Sequence, residues 1–527
     1  MRSTCQLAQC LAVCQPFIGI EKRDMIVAFV SLILGAVIIL YLYLTRNFKY
    51  WQKRGVPCVN GTTLPGIGHM WEFVSAKITF NEFCRKIYHG NKDRSMVGFY
   101  NFSTPTLMIR EPELVKTVLQ TKFTNFHENA LKIDPDLDPL MANNPFFTYG
   151  EKWVTGRKRL TYAFSSMRLK ILLESVKQVC GEFETFLNIK LNKKEKAEVE
   201  LKDLFAKYTA QVVANAGFGV NGFCFDDKKQ HKSFYEIGKS FLEPSAINNM
   251  IFTLVFLIPW LGKVFRIRFL PKKVDRFFRT LVNDIMEQRR ASDTQRNDFF
   301  QLMVELERTE SNEFDLEVLA SNAMSFFVDG YETSSSALTF VGFHLAAYPE
   351  VQKKLREEVM TVLSKHNGIL TYDALREMAY MDQVISESQR IVPTIGFMNR
   401  ICTDATELRG SDGIVCSVEP GTNILIPVHG LQEDPCYWEN PHVFDPERFD
   451  PSKKHSIERF AFLPFGEGPR ICVGMRMGLL QMKACLAVLL RKFSLELSPR
   501  MQMPLKLKSS VFLYAPVGGA WAFIKPI

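Results

Sequence analysis

Hydrophobic and polar positions divide the chain into one uninterrupted apolar run and a long succession of mixed segments. From Met25 to Thr45, 21 residues pass without a charge, dominated by Ile, Leu, Val and Ala. About 20 such residues let a helix cross the hydrocarbon layer of a bilayer. Beyond it, Met96–Tyr100 and Thr106–Ile109 are β-like, whereas Phe80–Ile87 and Pro112–Leu119 read as helices. The stretch from His127 to Tyr149, with Asp134, Pro135, Asp136, Asp138 and Pro139, reads as a loop. Residues 170–310 are a series of amphipathic helical patterns. A long helix is predicted from about Asp315 to Tyr348, ending before Pro349. A shorter one runs from Tyr380 to Ile391, ended by Pro393, and another from Val473 to about Lys492.

Charges around the apolar run give it a direction. Arg46, Lys49, Lys53 and Arg54 follow it, while Glu21, Lys22, Arg23 and Asp24 cancel on the other side. The positive-inside bias then puts the N-terminus in the lumen and the remainder in the cytosol. No small-residue cleavage site follows, which favours a signal anchor over a cleaved signal peptide. The expected organisation is an N-terminal extension (1–24, with Met25 an alternative start), a transmembrane anchor (25–45), a basic hinge linker (46–70, with Pro57 and Pro65) and one catalytic domain (71–527). A second apolar stretch, Ile251–Trp260, is too short to span. With Lys263, Arg266, Arg268, Lys272 and Lys273 after it, it fits a loop dipping into a membrane surface, a buried helix being the equal alternative.

The chain has 527 residues, 47% hydrophobic and 23% charged, as expected of a packed globule, and a net charge of +9. Nothing in it resembles a nucleic-acid-binding module, so the basic excess points to an acidic protein or a membrane surface. Its 12 cysteines form no C-x-x-C pair, and no disulfide framework is predicted. The absence of a glycine-rich nucleotide loop argues against a fused reductase.

One cysteine stands apart. Phe465-Gly-Glu-Gly-Pro-Arg-Ile-Cys-Val-Gly474 places Cys472 in a turn that glycine can bend tightly, just before a helix. Amide N–H groups and a helix N-terminus are what a desolvated thiolate needs around it. The stretch fits F-x-x-G-x-R-x-C-x-G without a gap, and on it the chain resembles the haem-thiolate cytochromes P450. That resemblance implies that Cys472 is the axial ligand of haem iron, with Phe465 and Arg470 among the residues contacting haem.

Further motifs follow in the order the family requires. Trp153 and Arg157 form W-x-x-x-R on one predicted helix face; the family uses such a pair, together with residues matching Arg400 and Arg470, to hold the haem propionates. Lys152, Lys158 and Arg159 make the same helix basic, suited to docking an acidic electron donor. The family's small-Gly-x-acid-Thr signature reads Asp329-Gly-Tyr-Glu-Thr333. By resemblance the helix opens near Gly330, Thr333 hydrogen-bonds bound oxygen and Glu332 relays protons through water. Asp329 departs from the Ala or Gly of most relatives. Either its carboxylate is satisfied by local hydrogen bonds or water, or it is esterified to a haem methyl, as a glutamate at this position is in one branch of the family. Glu387 and Arg390 match E-x-x-R, and Arg448 lies in Pro446-Glu-Arg-Phe449; together they imply a buried clamp for fold and haem retention. Phe326, Phe327, Thr394, Phe397 and Phe512 are candidate pocket residues.

The resemblance covers the chain beyond the anchor, and Arg266–Lys272 and Arg296–Gln301 resemble the insect microsomal branch. It implies a mainly α fold with a smaller β-rich lobe and an N-terminal transmembrane anchor in the endoplasmic reticulum. The implied activity is monooxygenation of a lipophilic small molecule (xenobiotic, insecticide, steroid hormone or fatty acid) at haem b. Electrons would come from NADPH through NADPH–cytochrome P450 reductase, with cytochrome b5 a candidate second donor. Two alternatives stay open: a haem-thiolate isomerase or dehydratase, and a non-catalytic haem- or lipid-binding protein. The Glu332–Thr333 pair counts against both.

Overall fold

The apolar run forms helix α1 (Lys22–Thr45), whose large apolar side chains from Met25 to Tyr43 are exposed. The structure, a computed structural model, describes residues 22–226, 228, 233–242, 245–291, 297–310, 316–510 and 513–527. The hinge linker expected after α1 is instead packed onto the body. Asn47 Nδ2 donates to Ser103 O at 2.9 Å, and the Tyr50 and Thr422 hydroxyls are 3.0 Å apart. Trp51 is fully buried and donates its indole N–H to Phe99 O at 3.1 Å. It fits because residue 98 is glycine: a Cβ there would lie 2.3 Å from the indole Cγ. Next to it, Gly98 exchanges backbone hydrogen bonds of 2.9 Å with Pro57 O and Val59 N–H.

Strands β1 (Met96–Asn101) and β2 (Thr104–Ile109) form an antiparallel hairpin. β3 (Met398–Ile401) and β4 (Asn423–Ile426) complete the sheet in the order β1-β2-β4-β3. β4 runs parallel to β2, with Leu107 opposite Ile424, and antiparallel to β3, where Arg400 faces Ile424. This sheet and three smaller ones make the β lobe among the described residues.

The helical body is built on α2 (Gly150–Ala163), α3 (Ser166–Leu191), α4 (Leu201–Val212), α5 (Leu316–Ala347), α6 (Ala379–Ile391) and α7 (Met475–Lys492). α5 is 32 residues long and buried on most faces, so it is apolar nearly all round. α4 packs along it, Thr209 Oγ1 donating to Tyr331 O at 3.0 Å. From α7, Gln481 Nε2 reaches Ser334 Oγ at 2.7 Å and Gly330 O at 3.3 Å. The opening expected near Gly330 is absent: α5 is regular α-helix over its described length. The Thr333 hydroxyl is spent on the Asp329 carbonyl four residues back.

The second apolar stretch divides its surface. Phe252, Phe256 and Leu257 are buried, whereas Ile247, Met250, Trp260, Val264 and Phe265 are exposed. The exposed apolar tip therefore flanks the run and shares only its C-terminal end, at Trp260. The loop at 127–149 is tied to the next segment by Asp138, whose carboxylate accepts the Phe269 amide at 2.7 Å and Arg268 Nε at 3.2 Å.

Candidate functional site

Cys472 sits at the end of a loop only its glycines allow. Gly466 and Gly468 have φ of +71° and +76°, and a Cβ on Gly468 would fall 1.9 Å from Leu119 O. The Cys472 amide donates to Phe465 O at 2.9 Å, which folds the loop back on itself. Gly474 then caps the start of α7, and the amides of Gly474 and Met475 favour the anionic form of the Cys472 sulfur. Burial holds the thiol above its ordinary range; the Gly474 amide opposes it most, the charge of Asp329 adds to the rise, and Arg157 and Met475 pull down. The sulfur is surrounded by protein and yet carries exposed surface. Both hold if one side of the thiol opens into an internal cleft.

Asp329 has the same double character, enclosed but with exposed surface, and its charge is felt at Cys472. The side of α5 that carries Asp329 is thus near enough to the Cys472 loop for the two charges to interact. Asn144 Nδ2 donates to the Asp329 carboxylate at 3.2 and 3.3 Å. Burial raises that carboxyl to about 7, the Asn144 bond working against the rise. Thr333, one turn along α5, lies on the same face.

Glu332 is not beside them. Its carboxylate is 2.8 Å from Lys202 Nζ, and Lys202 also donates to Ser335 Oγ at 2.6 Å and Ser336 Oγ at 3.1 Å. It lines a separate cleft of about 400 Å³ with Glu200, Lys202, Tyr235, Lys239 and Trp521. The expected acid–alcohol pair is thus split, because consecutive helical residues diverge by about 100° and Lys202 captures the acid on its side.

Three guanidinium groups gather near the Cys472 loop. Arg157, on α2, donates to Ile471 O. Arg470 donates to His127 O and to Thr148 O (2.8 Å) and stacks 4.4 Å over the Trp153 ring. Arg400 Nη1 reaches Asn129 Oδ1 at 2.6 Å, while its buried Nε has no partner. Among the described residues no carboxylate forms an ion pair with any of the three. Burial and the charge of Arg470 bring Arg400 down to about 9. Arg470 falls to about 10 through burial and Arg157, against the pull of Glu128. Burial also lowers Arg157, against the charge of Cys472. Depressed, unpaired cations in a cluster are the arrangement an incoming dianion would relieve. Lys152 and Lys158 project from the same helix into solvent.

Below, Glu387 and Arg390 of α6 form a fully buried bidentate pair, with Arg448 Nε 3.4 Å from Glu387 Oε1.

Phe326, Phe327 and Phe397, expected at the pocket, each pack against another ring. Phe326 stacks on Phe299 with centroids 4.3 Å apart. Phe327 is buried among Phe234, Phe278 and Tyr331, on the face of α5 away from Asp329. Phe397 packs edge-on against Phe80, 4.8 Å away. Thr394 is buried, and Ile395 is the open residue of that stretch. All three rings find core partners because large aromatic surface is better buried than left facing a polar cleft. Phe512 lies outside the described residues. Sequence reasoning missed Asn129, Asn144 and Lys202, whose partners lie 271, 185 and about 130 residues away, with no local pattern to mark them.

A family model described as cytochrome P450 matches residues 60–523. Among curated proteins, cytochrome P450 9e2 of Blattella germanica is 33% identical over 513 residues, covering 92% of this chain and 95% of the relative. Cytochrome P450 6j1 of the same species is 31% identical, covering 95% and 98%, and cytochrome P450 6a2 of Drosophila melanogaster is 32% identical, covering 95% and 100%.

Proposed function

The chain belongs to the cytochrome P450 family, a family of haem-thiolate monooxygenases, and on that premise we propose how its own residues serve the reaction. The donor set fits haem: one sulfur at the start of a helix, its anion favoured by two amides, and a cluster of guanidiniums that pair with no carboxylate among the described residues and can balance two propionates. Cys472 would bind the iron through its sulfur, Arg157, Arg400, Arg470 and the Trp153 indole would hold the propionates, and Phe465 would contact the haem. Haem bound there supplies the reductive activation of dioxygen, one atom going to substrate and the other to water.

The protein's part is to hold charge and move protons. The Gly474 and Met475 amides stabilise the Cys472 anion without protonating it. The Thr333 hydroxyl can turn from the Asp329 carbonyl to donate into the cleft. Glu332 takes protons from the water-accessible cleft it shares with Lys202 and passes them across α5. Glu387, Arg390 and Arg448 keep the floor under the Cys472 loop in place.

The electron source in this proposal is NADPH through a membrane flavoprotein, NADPH–cytochrome P450 reductase, with cytochrome b5 as a second donor. Both would meet the basic surface of Lys152 and Lys158. The substrate is a lipophilic small molecule that reaches the cleft from the bilayer. Helix α1 anchors the enzyme in the endoplasmic reticulum membrane, with the body on the cytosolic side.

The observation that carries this is the exposed Cys472 at the mouth of α7, in a loop closed by its own amide on Phe465 O and next to the Arg157–Arg400–Arg470 cluster. Purified protein reduced under carbon monoxide should show the red-shifted Soret band of thiolate ligation, and Cys472→Ser should lose it. A wild-type spectrum typical of imidazole ligation, or a serine variant with unchanged turnover, would refute it.

A further inference from the structure

Asp329 is oriented in the cleft but not neutralised there. The residue keeps exposed surface on α5 although burial raises its carboxyl, and its charge is felt at Cys472. Its hydrogen bonds from Asn144, at 3.2 and 3.3 Å, are long for a charged acceptor. Asn144 is itself fixed, its Oδ1 accepting the Phe146 amide at 2.7 Å, so it can aim the carboxylate but brings no charge.

Among the described residues no cation forms an ion pair with it. Lys202 is held by Glu332 in the other cleft. Arg157, Arg400 and Arg470 gather around the Cys472 loop, bonded to backbone or amide oxygens. The titratable group whose charge interacts with Asp329 is Cys472, which is anionic when it binds iron and repels a second negative charge. The Asn144 segment contributes none, and on α5 itself Thr333 donates only to the Asp329 backbone carbonyl.

A buried carboxylate without a counter-ion must either take up a proton or recruit a cation. We propose that Asp329 is a specificity-determining residue that selects lipophilic substrates carrying a cationic nitrogen, the nitrogen seating against its carboxylate and the apolar remainder filling the cleft. A neutral ligand of equal shape leaves the carboxylate unpaired, and a hydroxyl can donate to it but cannot balance its charge. The inference rests on the haem-thiolate function proposed above.

The test is an optical titration of the haem-loaded enzyme in detergent with two ligands of one shape: a long-chain alkyltrimethylammonium and the hydrocarbon in which a quaternary carbon replaces the nitrogen. The quaternary nitrogen has no lone pair for iron and no proton to lose, so any pH dependence of its affinity belongs to the protein. Above neutral pH the cation should bind about tenfold or more tighter than its isostere. That preference should fade as pH drops through about 7, where the Asp329 carboxyl takes a proton. Asp329→Asn and Asp329→Ala should each abolish both the preference and its pH dependence while keeping the thiolate-type carbon monoxide spectrum. A preference that survives in both variants, or equal binding of the two ligands by wild type at every pH, would overturn the proposal. So would acid extraction that releases haem only as a covalently modified pigment, since an esterified Asp329 carries no charge. Loss of the thiolate-type spectrum in wild type would instead overturn the function on which the inference depends.

Discussion

Glu387 and Arg390 lie one helical turn apart, both wholly enclosed, and are joined by hydrogen bonds of 2.7 and 2.8 Å. Two further guanidinium hydrogens go to Gln432 O at 2.9 Å and Pro441 O at 2.7 Å, and the Asp445 amide donates to Glu387 at 3.0 Å. The pair therefore binds α6 to the segment leading toward Cys472. Lysine cannot reproduce the planar fork. Arg390→Lys should cost about 3–5 kcal/mol, since it strands the buried carboxylate. Thermal unfolding and the fraction of purified chain carrying haem would measure it; an unchanged midpoint with full haem content would count against the clamp.

This clamp shows what could be read in advance. The i, i+3 spacing of Glu387 and Arg390 is visible in the chain, whereas the carbonyls of Gln432 and Pro441 that complete it are not. Helix boundaries followed from apolar periodicity and proline, so the fold was largely legible. The direction of a ring was not: Phe326 and Phe327 lie on the helix that carries Asp329, yet their partners Phe299, Phe234 and Phe278 decide where they point. The segment after the anchor looked like a basic linker because the feature that fixes it, the slot over Gly98, lies some fifty residues from Trp51.

That slot makes the junction between anchor and body testable. Gly98→Ala would drive a methyl into the Trp51 ring, which can move only by leaving its Phe99 O hydrogen bond. Overpacking of this kind costs about 1–3 kcal/mol. The variant should be cut by protease between α1 and the body faster than wild type, with a lower unfolding temperature. A cleavage rate equal to wild type would mean that the segment is not held through Trp51.

Glu433 predicts an acid-dependent contribution to stability. Arg85 grips its carboxylate at 2.7 and 2.6 Å, and His89 Nε2 lies 2.7 Å away. Burial pushes the Glu433 carboxyl up, but the bonds and charges of His89, Arg85 and His429 outweigh it and bring it down to about 2. A depressed carboxyl stabilises the fold above its unfolded value and loses that contribution as pH falls through the folded one. Glu433→Gln should thus destabilise by about 3 kcal/mol near neutrality. The gap to wild type should close between about pH 5 and pH 2, as read by denaturant unfolding at fixed pH values. A gap of constant size across that range would contradict the assignment.

The separation of Glu332 from Thr333 makes Lys202 a control point for proton supply. Lys202→Met leaves the acid without its 2.8 Å partner. With reductase and substrate present, product formed per NADPH consumed should fall several-fold and hydrogen peroxide release should rise, while the carbon monoxide spectrum stays that of wild type. Removing a positioned proton donor commonly costs about 10²-fold or more, so Glu332→Gln should be the more severe change. Unaltered coupling in both would assign the Lys202–Glu332 pair to packing alone.

Besides α1, the body exposes Ile247, Met250, Trp260, Val264 and Phe265, with Lys263 also exposed beside them. Apolar side chains with a basic neighbour form a surface that favours the interface of an anionic bilayer. Such a patch also lies close to the loop held by Asp138, where a lipophilic substrate would leave the membrane. A chain lacking residues 1–45 should therefore still float with vesicles containing anionic lipid. Trp260→Ser combined with Phe265→Ser should release it without changing its thermal stability, because both side chains are exposed. If the truncated chain stays in the soluble fraction before these substitutions are made, membrane attachment rests on α1 alone.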